Sequence, residues 1–214
     1  VRMDSDTTTR IGDHARLLNE FQTNGDVLVG TQMVAKGLDF PQVTLVGVIA
    51  ADIGLHVADF RASERTFALI TQVCGRSGRA SPGEALIQTY APAHPAIAFA
   101  AHHDYRGFAR HELAERKALG YPPFKSLMYI GIIARNRAEA ARIAEDVAAI
   151  LRKNDGSEVL GPAPYPVARL NDEWRFRIAV KTSAGSALRS YIRKHIVPLA
   201  KASRATRFVF NVDP

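Results

Sequence analysis

The sequence predicts an α/β protein in two parts, a parallel-sheet lobe over residues 1–121 and a small α+β domain over residues 122–214. Three observations carry that prediction. Strand-like and helix-like stretches alternate through the first part, and one strand, residues 43–50 (VTLVGVIA), is almost wholly apolar. Such a run suits a parallel strand covered on both faces. Charge then breaks between the parts: residues 1–121 hold 12 Lys/Arg against 13 Asp/Glu, whereas residues 122–214 hold 16 against 8. Finally, Tyr121-Pro122-Pro123 sets two prolines at the junction, which predicts an extended hinge.

Taken in order, residues 1–3 read as a strand end and residues 13–23 as a helix with Ala15, Leu17, Leu18 and Phe21 turned to a core. Residues 26–31 follow as a buried strand. After the apolar strand come a helix over 62–73, a strand over 85–90 and one helical stretch over 96–119. Parallel sheets gather ligands at the carboxyl ends of their strands, where Asp4, Thr31, Asp52 and the turn 75–79 would lie. In the second part, residues 126–134 read as a strand and 138–151 as a helix. A Gly/Pro-rich connection over 161–166 leads to a strand at 167–170. Asn171-Asp172-Glu173 turns into a strand over 174–181, and a helix over 189–200 precedes a last strand at 207–212. The order βαββαβ is that of a ferredoxin-like split βαβ domain.

Composition excludes several classes. At 47% hydrophobic and 23% charged the chain is ordinary globular material. No run approaches the length of a membrane span, and the N-terminus has no secretory architecture, so no membrane partner is expected. Val1 is not a natural start, which fits a piece of a longer protein. Cys74 is the single cysteine, which excludes internal disulfides and cysteine-rich zinc sites and suits a reducing cytoplasm. The net charge of +7 falls entirely on the second part, as expected of a domain that meets a polyanion.

Two stretches carry chemistry. Cys74-Gly75-Arg76-Ser77-Gly78-Arg79 follows a helix-compatible run, and its glycines let the backbone lie close to a ligand. Arg76 and Arg79 could aim two guanidinium forks at one phosphoryl group, the layout of an arginine finger. A solvated basic turn is the alternative. In the second stretch, Gly30-Thr31-Gln32 ends a strand and Lys36-Gly37-Leu38-Asp39 follows a helix-like run. Thr31 and Gln32 would offer donors to a nucleic-acid phosphate, and Asp39 would accept from a ribose hydroxyl or an arginine, with a turn or capping role as the alternative. No G-x-x-x-x-G-K-[ST] loop occurs in the chain.

These residues carry a resemblance. GTQMVAKGLDFPQVTLV followed by QVCGRSGRA resembles motifs V and VI of the second RecA-like lobe of superfamily 2 helicases, and VRMDSDTT resembles motif IV. ADFRASERTFALITQV, Tyr121-Pro122-Pro123-Phe124, Val159-Leu160-Gly161-Pro162, Trp174-Arg175 and Val212-Asp213-Pro214 are similar to the PriA family, the bacterial replication-restart helicases. The resemblance covers essentially the whole chain. It implies a 3′→5′ ATP-dependent DNA helicase that recognises stalled or branched forks and reloads the replication machinery. It also implies Arg76 and Arg79 at the γ-phosphate, Gln72, Asp39 and Gly37 beside ATP, and Gly30, Thr31, Gln32 and Lys36 beside DNA or the cleft between lobes. ATP and Mg²⁺ would be held mainly by a first lobe, and zinc by a module, both outside this sequence. Single-stranded DNA-binding protein, primosome proteins and forked or single-stranded DNA are the implied partners, with a monomer expected.

Arg61 and Glu64 read as an ordinary helix-start pair, and His102, His103 and His111 as residues of a solvated helix face. On the second hairpin, period two sends Arg175, Arg177 and Ala179 to one face and Trp174, Phe176, Ile178 and Val180 to the other, with Arg169 joining the basic face. Arg169, Trp174, Arg175 and Arg177 are the candidate DNA contacts, since aromatics beside arginines can stack bases and hold a backbone. The alternative is a core-facing Trp174 with arginines that are merely exposed. Arg189, Arg193 and Lys194 form a further basic cluster.

Overall fold

Parallel strand pairs organise the first half of the chain and one antiparallel sheet the second. The computed structural model describes residues 1–31, 34, 42–75, 83–203 and 205–213. Two compact units emerge, Val1–Glu112 and Leu113–Pro214.

In the first unit, β1 (Arg2–Met3) pairs in parallel with β2 (Val29–Gly30), and α1 (Asp13–Asn24) connects them. Gly30 is dictated by crowding. A Cβ there would sit 2.4 Å from the Met3 carbonyl oxygen and 2.3 Å from a Val34 methyl carbon. β3 (Leu45–Val48) pairs in parallel with β4 (Glu84–Ile87), joined through a 3₁₀ helix (Ala51–His56) and α2 (Ala62–Cys74). α3 (Pro95–Ala101) follows, and then α4 (Tyr105–Leu119), whose residues up to Glu112 belong to this unit and whose last turns, from Leu113, belong to the second. Ala51, Phe67, Ile70, Ala96, Ile97, Ala100 and Phe108 form the core of this unit. The Phe67 and Phe108 rings stack with centroids 4.3 Å apart.

Three expectations for this unit need correction. The strand expected as buried over 26–31 is a two-residue strand, with Val27 and Val29 62% and 61% exposed. The strand expected to be covered on both faces is Leu45–Val48, with Val48 against the core and Leu45 exposed. Apolar composition reports a surface suited to cover, and says nothing of what supplies the cover. The single helical stretch over 96–119 is two helices. His102 ends α3, His103 adopts φ 52°, and the Asp104 carboxylate accepts from Gly107 N–H at 2.8 Å to start α4. An aspartate three residues before a helical amide is an N-cap signal that the alanine-rich background hid.

The second unit is a four-stranded antiparallel sheet in the order β6-β7-β5-β8. Its strands are β5 (Ser126–Ala134), β6 (Ser157–Leu170), β7 (Glu173–Thr182) and β8 (Thr206–Val212). α5 (Arg137–Leu151) joins β5 to β6, and α6 (Gly185–His195) with α7 (Val197–Ala202) joins β7 to β8. Asn136 caps α5, its side-chain oxygen accepting from Glu139 N–H at 3.1 Å. Met128, Ile130 and Ile132 of β5 meet Ile178 and Val180 of β7 over Val147 and Leu151 of α5 and Leu188 and Ile192 of α6. Burying each such aliphatic side chain contributes about 1.5–3 kcal/mol.

Local chemistry sets the register. Asn171 and Asp172 both take positive φ, 50° and 62°, in a two-residue loop between the paired Leu170 and Glu173. Both central φ values of a type I′ hairpin turn are positive, and Asn and Asp accept them more readily than most residues. The carboxyl end is tied back by Asp213, whose carboxylate accepts from Leu127 N–H at 2.8 Å while its own N–H donates to Leu127 O at 2.7 Å. The Gly/Pro-rich run 161–166, expected as a connection, belongs to β6, which accommodates it through register shifts after Leu160 and Pro164. The helix expected over 189–200 is split at Ile196, with a proline in the first turn of α7. The hinge expected at Pro122-Pro123 is a closed turn, Phe124 N–H donating to Tyr121 O at 3.0 Å.

Candidate nucleic-acid interface

Both helical connections of the second unit pack on one side of the sheet, so alternation along β7 decides which side chains remain on the other. Ile178 and Val180 are wholly buried in the core and Phe176 packs against it. Arg175 and Arg177 therefore stand on the opposite face, across from Ile133 and Gly131 of β5.

On that face the two arginines interleave with two tyrosines. The Arg175 guanidinium lies 4.5 Å from the centre of the Tyr165 ring, and Arg177 lies 5.6 Å from that ring and 4.5 Å from the ring of Tyr129. Tyr165 comes from β6, Tyr129 from β5 and the arginines from β7, so all three strands build the ladder. Gly131 leaves the space: a Cβ on it would meet the Tyr165 hydroxyl at 2.7 Å. All four ladder residues are half-buried. Among the described residues neither Arg175 nor Arg177 has a carboxylate partner. Sequence reasoning found the arginines and missed both tyrosines. Tyr129 was readable from period two in β5, but Tyr165 lay in a stretch that its prolines disguised as a loop.

Arg169 and Trp174 lie elsewhere. They are direct cross-strand partners, so Arg169 shares the face of Trp174 and does not join Arg175 and Arg177 as expected. Arg169 and Arg137 approach the Trp174 ring at 5.8 and 5.3 Å, and Arg169 pairs with Asp172 at 2.8 Å. Arg189 and Arg193 flank a shallow groove floored by Met128, Ile192 and Phe210; Lys201 joins them there, and Lys194 is not among its lining residues. Lys181 is buried, its ammonium donating to Leu119 O at 2.9 Å and resting 4.1 Å from the Tyr121 ring centre. It caps the C-terminus of α4, where orphan carbonyls favour a cation.

In the first unit, Asp4, Thr31 and Asp52 follow the carboxyl ends of β1, β2 and β3, as expected. Asp4 accepts from Arg2 Nε at 2.6 Å and from Thr7 N–H at 3.0 Å, and the arginine holds its carboxyl below the usual carboxylate range. Asp52 accepts from the Thr89 hydroxyl and from Tyr90 N–H at 3.0 Å. The Thr89 bond lowers its pKa in spite of burial. Both carboxylates are thereby engaged in holding loops. Asp59 anchors the start of α2, accepting from Arg61 N–H at 2.9 Å and from the Arg65 guanidinium at 2.8 Å. Gln72 is exposed near the end of α2, which closes at Gly75, one residue before Arg76. Burial raises the pKa of the half-buried Cys74 thiol, as befits a packing residue. Arg76, Arg79, Gln32, Lys36, Gly37 and Asp39 lie outside the described residues. No described helix is long and apolar enough to cross a membrane.

Known proteins resemble the chain along its whole length. The family model of the helicase conserved C-terminal domain matches residues 2–81, and that of the primosomal protein N C-terminal domain matches residues 117–214. The replication restart protein PriA of Bacillus subtilis is 46% identical over 217 residues, covering 100% of the chain and 27% of that protein. PriA of Synechocystis is 44% identical over 185 residues, covering 85% of the chain and 22% of its own length. PriA of Chlamydia pneumoniae is 39% identical over 218 residues, covering 100% of the chain and 29% of its own length. The chain thus spans under a third of each of these relatives.

Proposed function

Since the chain belongs to the PriA family and matches its C-terminal part, we propose that it is the nucleic-acid-holding end of an ATP-dependent 3′→5′ DNA helicase. That helicase recognises stalled or branched replication forks and restarts replication by assembling a primosome. The first unit is the second RecA-like motor lobe. In this reading Arg76 and Arg79 face the γ-phosphate, Gln72, Gly37 and Asp39 border the nucleotide, and Gly30, Thr31, Gln32 and Lys36 border DNA. ATP, when bound, supplies the phosphoryl group whose transfer drives unwinding. The sequence supplies no Walker loop, so ATP and Mg²⁺ are held mainly by protein outside it. A lone cysteine does not make a zinc site, so the zinc of the full protein also belongs elsewhere. The protein works in the cytoplasm as a monomer, with single-stranded DNA-binding protein and primosome proteins as partners.

The second unit is a ferredoxin-like domain that holds DNA. The strand order, with a helical connection after its first and third strands, supports that assignment. One observation carries the functional reading: two arginines without a carboxylate partner among the described residues, interleaved with two tyrosines on the face opposite the helices. The test is binding of the 214-residue chain to a fluorescent oligodeoxynucleotide as salt is raised. Tight binding that weakens steeply with salt is expected; absent or salt-insensitive binding contradicts it. A non-catalytic module for forks or replication proteins is the second reading, favoured by the +8 charge of residues 122–214. Joining the chain to the ATP-binding lobe separates the two, since only a motor gains DNA-dependent ATP turnover.

A further inference from the structure

We infer that the Arg175–Tyr165–Arg177–Tyr129 ladder binds the phosphates of DNA through the edges of its guanidinium groups, and does not stack bases. The inference rests on the DNA-holding role proposed above and assigns its chemistry. A guanidinium has two flat faces and a rim of five N–H donors. Here the guanidinium carbons lie over rings, Arg175 4.5 Å from the centre of Tyr165 and Arg177 4.5 Å from that of Tyr129 and 5.6 Å from that of Tyr165, and the inferred mode sets their flat faces on those rings. Stacking fixes the guanidinium planes and leaves the rims to form in-plane, two-pronged bonds to phosphate oxygens. The same arrangement withdraws the tyrosines as base platforms, because the rings that a base would cover already face cations. Tyr129 and Tyr165 are thus positioning residues, and Gly131 admits the Tyr165 hydroxyl. The ligand is a sugar-phosphate backbone, read without regard to base identity.

Three arms test this in the 214-residue chain, each with thermal unfolding as the check on folding. An abasic oligodeoxynucleotide should bind within about twofold of its parent strand, since the phosphates are unchanged. The R175K/R177K chain keeps its charge but loses the planar forks and should bind about tenfold more weakly. Tyr165→Leu should weaken binding several-fold, and Tyr165→Phe, which keeps a ring face for the cations, should restore most of it. Loss of about tenfold or more on the abasic strand, or unchanged binding by the lysine chain, would overturn the phosphate-edge mode. If Arg175→Ala with Arg177→Ala leaves binding intact, this face is not the DNA surface at all. That outcome overturns the parent reading, whereas loss with alanine but not with lysine overturns only the mode.

Discussion

The two units solve the burial problem differently. The second closes a four-stranded sheet over helices, with Ile130, Ile132, Ile178 and Val180 wholly buried. In the described residues of the first, Val29, Leu45 and Leu86 remain 61%, 56% and 60% exposed on strands of two-stranded parallel pairs. The placement of the described candidates also differs: those of the second unit sit within a regular strand, whereas Thr31 and Gln72 of the first sit where β2 and α2 end. In the first unit the helix α2 ends at Gly75, just ahead of Arg76. In the second, the pleat of β7 delivers Arg175 and Arg177. The difference teaches that apolar strand composition and a finished core are separate properties.

Substitutions in the two units should have separable consequences. With the ATP-binding lobe present, Arg79→Ala should lower DNA-stimulated ATP turnover by about 10³-fold while DNA affinity stays near wild type. Retained turnover would remove the finger assignment. Ile130→Ala should destabilise the second unit by about 2–5 kcal/mol in denaturant unfolding. Leu45→Ala, on an exposed strand position, should cost under about 1 kcal/mol, and equal costs would erase the contrast between the units. Asp52→Asn should lower the unfolding midpoint of the first unit at neutral pH. The Thr89 bond depresses the folded pKa of Asp52, so its stabilisation is present above the ordinary carboxylate pKa and fades as pH falls through the folded value. The gap between wild type and variant should therefore close on acidification, and a gap that persists would contradict this. Smallest of all, Gly131→Ala should displace the Tyr165 hydroxyl and weaken DNA binding a few-fold with little loss of stability, since the clash is with the far end of a side chain.

Much of this architecture is legible in the sequence. β5 was read residue for residue because its apolar run is bounded by Lys125 and Arg135. The face of Arg175 and Arg177 followed from period two alone. What escaped reading depended on tertiary context. Prolines 162, 164 and 166 suggested a loop, yet irregular pairing of an edge strand tolerates them. Arg169 falls on the face of Trp174 because the loop holds only Asn171 and Asp172, Glu173 being paired with Leu170, whereas a three-residue turn would set Arg169 opposite Arg175. The break at His103 needed recognition of Asp104 as a cap, and Tyr165 became part of a site only once Gly131 was seen to make room.

The salt dependence of DNA binding tests the central claim most directly. Measured on single strands, the slope of log affinity against log salt for the R175A/R177A chain should be shallower than wild type by about 1.4, the value for two lost phosphate contacts. Superimposable slopes would mean that these arginines touch no phosphate, and the account of the second unit would fail.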